Sequence, residues 1–181
     1  MAEVAAACHA VDPGPLLSAI PSHPTRRDHA LSRLSALEKL TFPEASEALA
    51  WARENAPPPE PCLFLHGDLL GQNIILDIEG KDPPGLLDWE YAEVGDPAYD
   101  LAIVTRGARR PFELSGGLER LLDHYYERTG RNITRREVQL HELCLNAHWL
   151  LGKMEHFGHD SPTAESERRA LANLLRRALQ S

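Results

Sequence analysis

His66-Gly67-Asp68-Leu69-Leu70-Gly71-Gln72-Asn73 is the densest polar segment of the chain, and it lies directly between two short apolar runs, Cys62-Leu63-Phe64-Leu65 and Ile74-Ile75-Leu76. Both runs lack charge and are rich in branched side chains, so they read as buried strands. A third run, Leu86-Leu87, follows Pro83-Pro84-Gly85 and leads into Asp88-Trp89-Glu90, with Asp77 to Asp82 reading as the turn before it. Strand, polar loop, strand, turn and strand in such a short span bring polar side chains from several strand ends to one place.

Asp68, Asn73 and Asp88 then form a set of hard oxygen donors. Magnesium prefers such donors and takes only one or two carboxylates, filling its octahedron with water and phosphate oxygens. Zinc would call for histidine or cysteine at close spacing, which this segment lacks. A phosphoryl-transfer site needs one carboxylate aimed at the attacking hydroxyl, and a nearby amide and second carboxylate to hold the metal. The loop from Asp68 to Asn73 is long enough to serve both ends. Singly, each residue has an ordinary reading: His66 as a core histidine, Asp68 and Asp88 as turn formers, Asn73 as a loop amide. Together they favour a site, because clustered carboxylates in a half-buried setting need a cation or donors to offset them.

Outward from this segment the chain is helical. Residues 1–56 form a helical segment: alanine-rich Ala2 to Val11 stops at Asp12-Pro13-Gly14-Pro15, and Leu31, Leu34 and Leu37 share a face of a second helix. Thr41-Phe42-Pro43-Glu44 has the form of a capping box opening a helix to about Asn55. Residues 62–90 hold the catalytic loop and the metal-binding strands, after the stiff break Ala56 to Pro61. Residues 96–181 form a helical subdomain. Asp96 caps a helix that Gly107 stops, the stripe Leu118 to Tyr126 is closed by Gly130, Thr134 and Glu137 form a capping box, and Ser161-Pro162 opens the last helix. Trp149 and its stripe read as packing, and His141 and His148, one heptad apart, as core or cleft residues rather than metal ligands.

Three blocks in order, H-G-D-x-x-x-x-N at His66 to Asn73, L-D-W-E at Leu87 to Glu90 and G-D-P-A-Y-D-L-A at Gly95 to Ala102, resemble the core of the aminoglycoside phosphotransferase family, a relative of choline kinases and protein kinases. The resemblance implies an α+β fold, the mostly helical C-lobe of the protein-kinase-like fold with a small β element around the catalytic loop and the N-terminal lobe absent. It implies Asp68 as the base for the acceptor hydroxyl, His66 as a brace of the loop, and Asn73 and Asp88 as magnesium ligands. Asp100 would accept hydrogen bonds from the loop backbone, Asp96 would support the site as a helix cap, and Ile75 and Leu87 would form the apolar floor under the nucleotide. Glu90, Glu142, His148 and Glu155 are the weaker substrate-binding candidates. The cofactors implied are Mg2+ and ATP or GTP as co-substrate.

Such kinases also use a lysine and a glycine-rich turn on strands before the catalytic loop. The lysines here are Lys39, Lys81 and Lys153, none on a strand ahead of His66. The activity the resemblance implies is transfer of a phosphoryl group to a hydroxyl of an aminoglycoside-, amino alcohol- or sugar-like small molecule, by a chain that is truncated, has its N-lobe supplied in trans, or covers the exposed face by self-association. The alternative is a non-catalytic binding or scaffolding module derived from such a kinase.

The 181 residues carry a net charge of -8, which argues against a nucleic-acid partner. The arginine pairs, Arg26-Arg27 among them, read mostly as solvated or dipole-complementing. Cys8, Cys62 and Cys144 read as free thiols, and no apolar run is long enough for a membrane span, so the expected location is cytoplasmic.

Overall fold

The computed structural model describes residues 1–77, 79–80, 83–106 and 115–180. Helix α1 (Ala2–His9) leads through a 3-10 turn at Gly14–Leu16 to α2 (Arg26–Arg33), α3 (Ser35–Glu38) and α4 (Pro43–Glu54). Four short strands follow, β1 (Leu63–Leu65), β2 (Ile74–Ile75), β3 (Gly85–Leu86) and β4 (Glu93–Gly95), and then helices α5 (Pro97–Arg106), α6 (Gly117–Thr129), α7 (Arg135–Phe157) and α8 (Pro162–Leu179). The strands form two antiparallel pairs: Phe64 faces Val94 in the β1–β4 pair, and Ile74 faces Leu86 in the β2–β3 pair.

Helix starts follow their local chemistry. Thr25 caps α2 by accepting from the Asp28 amide, and Ser161 caps α8 by accepting from the Ala164 amide. Thr134 and Glu137 make the reciprocal capping box of α7. Gly130 ends α6 at φ 65°, a left-handed residue that glycine adopts without a Cβ penalty. The Thr41 box does not form. Phe42 is the N-cap of α4, with no side-chain cap bond, because Pro43 already supplies a first-turn residue that needs no donor partner. Gly107 lies outside the described residues.

Two apolar cores meet on α7. One packs Leu34, Leu37, Leu40 and Trp51 against Leu143, Leu150, Leu171 and Leu175; the other packs Val4, Leu69, Leu101, Leu121 and Tyr125 against Val138 and Leu145. Each fully buried leucine contributes about 1.5–3 kcal/mol. Leu31 is not on the buried face with Leu34 and Leu37. It is 39% exposed, because the helix breaks at Leu34 and α3 turns away. The three cysteines are free, and burial pushes the Cys8 and Cys144 thiols up to about 12, so neither is a thiolate at neutral pH.

Arg26 departs from the solvated reading of the arginine pairs. It is buried, and its guanidinium donates to Asp96 Oδ1 at 2.8 Å, Glu60 Oε2 at 2.8 Å and Glu137 Oε1 at 2.6 Å. His141 Nε2 meets the other oxygen of Asp96 at 2.9 Å, and the Ala98 amide donates to Oδ1. Burial alone would raise the Asp96 pKa, but His141 and Arg26 more than offset it and hold it near 2. The start of α5 is thereby fixed to α2 and α7, which sets where Asp100, one turn on, points.

Candidate active site

Strand β1 delivers the chain into the His66-Gly67-Asp68 loop, and α5 receives it. The backbone N–H of His66 donates to Asp100 Oδ2 at 2.9 Å and that of Gly67 to Asp100 Oδ1 at 2.9 Å. Gly67 has φ +78°, and a Cβ built there would lie 1.9 Å from the Tyr91 carbonyl oxygen. Glycine is thus required twice, by the left-handed backbone and by the close approach of the Tyr91 segment.

The His66 ring ties two chain segments. Its Nδ1 accepts from the Asp68 amide at 3.3 Å, which leaves the proton on Nε2, and Nε2 donates to the Leu87 carbonyl at 2.7 Å. Leu87 immediately precedes Asp88, so His66 fixes the loop against the second carboxylate's backbone. Trp89 covers the ring, with centroids 4.6 Å apart.

The Asn73 carboxamide nitrogen donates to the Asp68 carbonyl at 2.9 Å and to Asp68 Oδ2 at 2.8 Å. Its oxygen therefore points away from Asp68. The Leu87 amide donates to the Asn73 carbonyl at 2.9 Å, linking the third motif residue to the other two. Asp88 is exposed and holds φ 67°, ψ 62°, the one non-glycine residue with positive φ among the described residues. The neighbouring Tyr91 phenol has its pKa raised by Glu90, to which it hydrogen-bonds, and more weakly by Asp68 and Asp88. All three carboxylates thus act on one solvent-facing hydroxyl. Asp68 is half-buried, Asn73 buried and Asp88 exposed, and the three offer only oxygen donors, a chemistry that suits magnesium rather than zinc.

Ile75 and Leu87 are 53% and 50% exposed, and neither β2 nor β3 contains a fully buried residue, so the two are not buried strands. The hairpin is held on one side only, through Ile74 and Leu86, and Leu76, Trp89 and Tyr91 on the flanking segments are exposed as well, an apolar band along the chain around Asp88 and Glu90. Glu90 is exposed next to Asp88, and Asp96 and Asp100 are fully buried supports. Glu142 accepts from Thr105 Oγ1 at 2.6 Å, binding α7 to α5. His148 and Trp149 line an open pocket of about 580 Å³ with Lys153, Phe157 and Glu167, so Trp149, at 41% exposed, is not a core residue. Glu155 is exposed.

His9 and Tyr125 escaped sequence reasoning. His9 Nε2 reaches Asp100 Oδ2 at 3.1 Å and Nδ1 reaches the Tyr125 hydroxyl at 2.8 Å. The two partners lie 91 and 116 residues from His9, and no local pattern marks such a pairing. Tyr91 was missed for the opposite reason: it is an exposed tyrosine in a turn, with no periodicity to single it out.

His23, His29 and Glu93 bring potential ligand atoms within 4.8 Å of one another. His29 Nδ1 accepts from the Asp96 amide at 3.0 Å, and Nε2 faces both Glu93 Oε1 at 3.3 Å and Arg33 Nε at 3.1 Å. Both ring nitrogens of His29 are thus already engaged, and the Arg33 guanidinium also pairs with Glu93, which leaves little of this cluster for a metal.

The family model described as the phosphotransferase enzyme family (APH) matches residues 1–141. The chain belongs to this phosphotransferase family. It is 30% identical over 97 residues to protein LicA of Haemophilus influenzae, a match covering 50% of this chain and 33% of LicA. The fold is similar to that of aminoglycoside 2'-phosphotransferase-IIIa in its GDP complex, with TM-score 0.68 and 17% identity over 97% of this chain and 60% of that one. It is likewise similar to LicA in complex with AMP, with TM-score 0.64 and 18% identity over 98% of this chain and 61% of that one. The chain therefore has the mostly helical C-lobe arrangement of a kinase-like phosphotransferase and spans about three fifths of those two solved chains. The three blocks fall within the matched region, and the loop, the Leu87-Asp88 turn and the start of α5 are the parts of this family member joined by the hydrogen bonds above. No described helix is long and apolar enough to cross a membrane.

Proposed function

We propose that this phosphotransferase-family chain carries the magnesium-binding and phosphoryl-transfer machinery of a small-molecule kinase, moving a phosphoryl group from ATP or GTP to a hydroxyl of an aminoglycoside-, amino alcohol- or sugar-like acceptor. The observation that carries this reading is the double hydrogen bond from Asn73 to Asp68, which holds the base and the metal-facing amide as one unit. Asp68 accepts the hydroxyl proton through the oxygen not committed to Asn73. Asn73 Oδ1 and the Asp88 carboxylate hold magnesium, which when bound neutralises charge on the nucleotide phosphates. His66 and Asp100 keep the loop from rotating. AMP in LicA and GDP in the aminoglycoside enzyme, proteins of the same fold, support a nucleotide as donor.

Ile75 and Leu87 take the base of the nucleotide on their exposed faces, and the apolar band around them receives a further lobe that completes the site, whether that lobe lies in the same polypeptide or in trans. The band also favours a second reading, a binding module that docks a protein without transferring phosphate. The test is turnover of ATP and GTP with magnesium over a panel of hydroxyl acceptors, alone and with an N-lobe from a relative added. Asp68→Ala and Asp88→Ala should each abolish transfer while the fold is retained. Absence of turnover in every condition, together with saturable protein binding that Leu87→Glu disrupts, would replace the kinase reading with the module.

A further inference from the structure

The catalytic loop has an anchor, Asp100, and the anchor itself is held. Asp100 is fully buried, and every hydrogen-bond partner described for it is a donor: the His66 amide, the Gly67 amide and His9 Nε2. An ionised carboxylate only accepts, so His9 must carry its proton on Nε2. In the neutral imidazole Nδ1 is then a bare acceptor inside the core, 2.8 Å from the Tyr125 hydroxyl, which donates to it. The His9 and Tyr125 rings meet edge to face, with centroids 5.5 Å apart, so the imidazole is fixed in orientation as well as in tautomer.

Packing alone does not call for the hydroxyl. Tyr125 is fully buried among Leu69, Leu101, Leu121 and Val138, a setting that phenylalanine would fill equally well. Burial pushes the phenol well above its ordinary range, so it stays protonated and a donor.

We propose that Tyr125 and His9 are positioning residues for phosphoryl transfer: the Tyr125 hydroxyl on α6 sets the tautomer and orientation of His9 on α1, His9 orients the Asp100 carboxylate, and Asp100 holds the His66–Gly67 backbone that aims Asp68. The chain of contacts joins two helices that carry no motif residue to the loop that does. Its effect on turnover rests on the kinase reading above; its effect on the loop does not.

The experiment compares wild type, Tyr125→Phe, His9→Gln and His9→Leu as full chains, reading amide hydrogen exchange at His66 and Gly67 against Leu101 and Leu143 in the cores. Tyr125→Phe should speed exchange at His66 and Gly67 about fivefold to tenfold and His9→Leu about a hundredfold, with smaller changes at Leu143. Glutamine keeps a donor toward Asp100 and an acceptor toward Tyr125, so His9→Gln should stay within about threefold of wild type. Where wild type turns over, Tyr125→Phe should lower kcat and leave the nucleotide KM unchanged. Equal acceleration at Leu143 and Gly67, or a Gln variant as fast as the Leu variant, would make the pair mere packing and overturn the proposal. A wild type without turnover would count against the kinase reading only, because the exchange comparison decides the positioning role by itself.

Discussion

Gly67→Ala separates two costs that usually arrive together. At φ +78° an alanine pays the left-handed penalty, about 1–2 kcal/mol. Its Cβ would also lie 1.9 Å from the Tyr91 carbonyl oxygen and 2.6 Å from the carbonyl carbon. Both are backbone atoms, so no rotamer change relieves the contact, and the Tyr91–Ala92 segment entering β4 must move. Overpacking of that kind costs about 1–3 kcal/mol, which brings the total to roughly 2–5 kcal/mol. Gly130 supplies the control, because it has φ +65° and nothing within 4 Å of a built Cβ. Gly130→Ala should therefore lose only the conformational share, about 1–2 kcal/mol. Urea unfolding of both variants, compared at equal m-values, reads the difference directly. Equal losses would refute the close approach of the Tyr91 segment, and with it the packing of the His66–Asp68 loop against the chain that enters β4.

Arg26→Met leaves the carboxylates of Asp96, Glu137 and Glu60 without their shared cation, and two of the three are buried; urea unfolding should show a loss of about 3–5 kcal/mol. Burial holds the His29 pKa near 4, below its ordinary 6.5, so between those values the unfolded chain binds a proton that the folded chain refuses. The His29 contribution to stability is then full above pH 6.5 and falls by about 3 kcal/mol on acidification to pH 4, a slope that urea midpoints should reveal and His29→Gln should flatten. Asp96, held near 2, keeps its contribution down to about pH 4 and loses it below, outside that window. Asp88→Gly relieves a left-handed non-glycine residue and should leave stability unchanged or raise it by up to about 1 kcal/mol, while phosphoryl transfer is lost; a clear destabilisation would mean that Asp88 is there to shape the turn.

The loop and its neighbours were legible because their chemistry is local. His66 to Asn73, Asp88 and Asp96-Pro97 lie in short contiguous blocks, and the caps at Thr134 and Ser161 depend on residues three apart. What could not be read depends on pairs distant in sequence. Strand β4 places Glu93 in a buried position, which a strand pattern would reserve for an apolar residue, and Arg33 and His29 from α2, with His23 just before it, explain it. Arg26 looked like any helix-end arginine, since the carboxylates that bury it are supplied by Glu60, Asp96 and Glu137. Ile74-Ile75 and Leu86-Leu87 were apolar enough for a core, and nothing in the runs themselves distinguished a core strand from an exposed band beside a site.

These two kinds of carboxylate divide the molecule. Asp96, Glu93 and Glu137 are buried and matched by Arg26, Arg33 and the histidines, so their charge is offset within the fold. Asp68, Asp88 and Glu90 stand toward solvent around Tyr91, and Asn73 donates to Asp68 without neutralising it. The fold matches these buried acids internally, whereas Asp68, Asp88 and Glu90 are left half-buried or exposed and open to a cation from solution. Under the proposed function that cation is magnesium carrying a nucleotide polyphosphate, since the cation would answer the carboxylates and the phosphates would answer the cation.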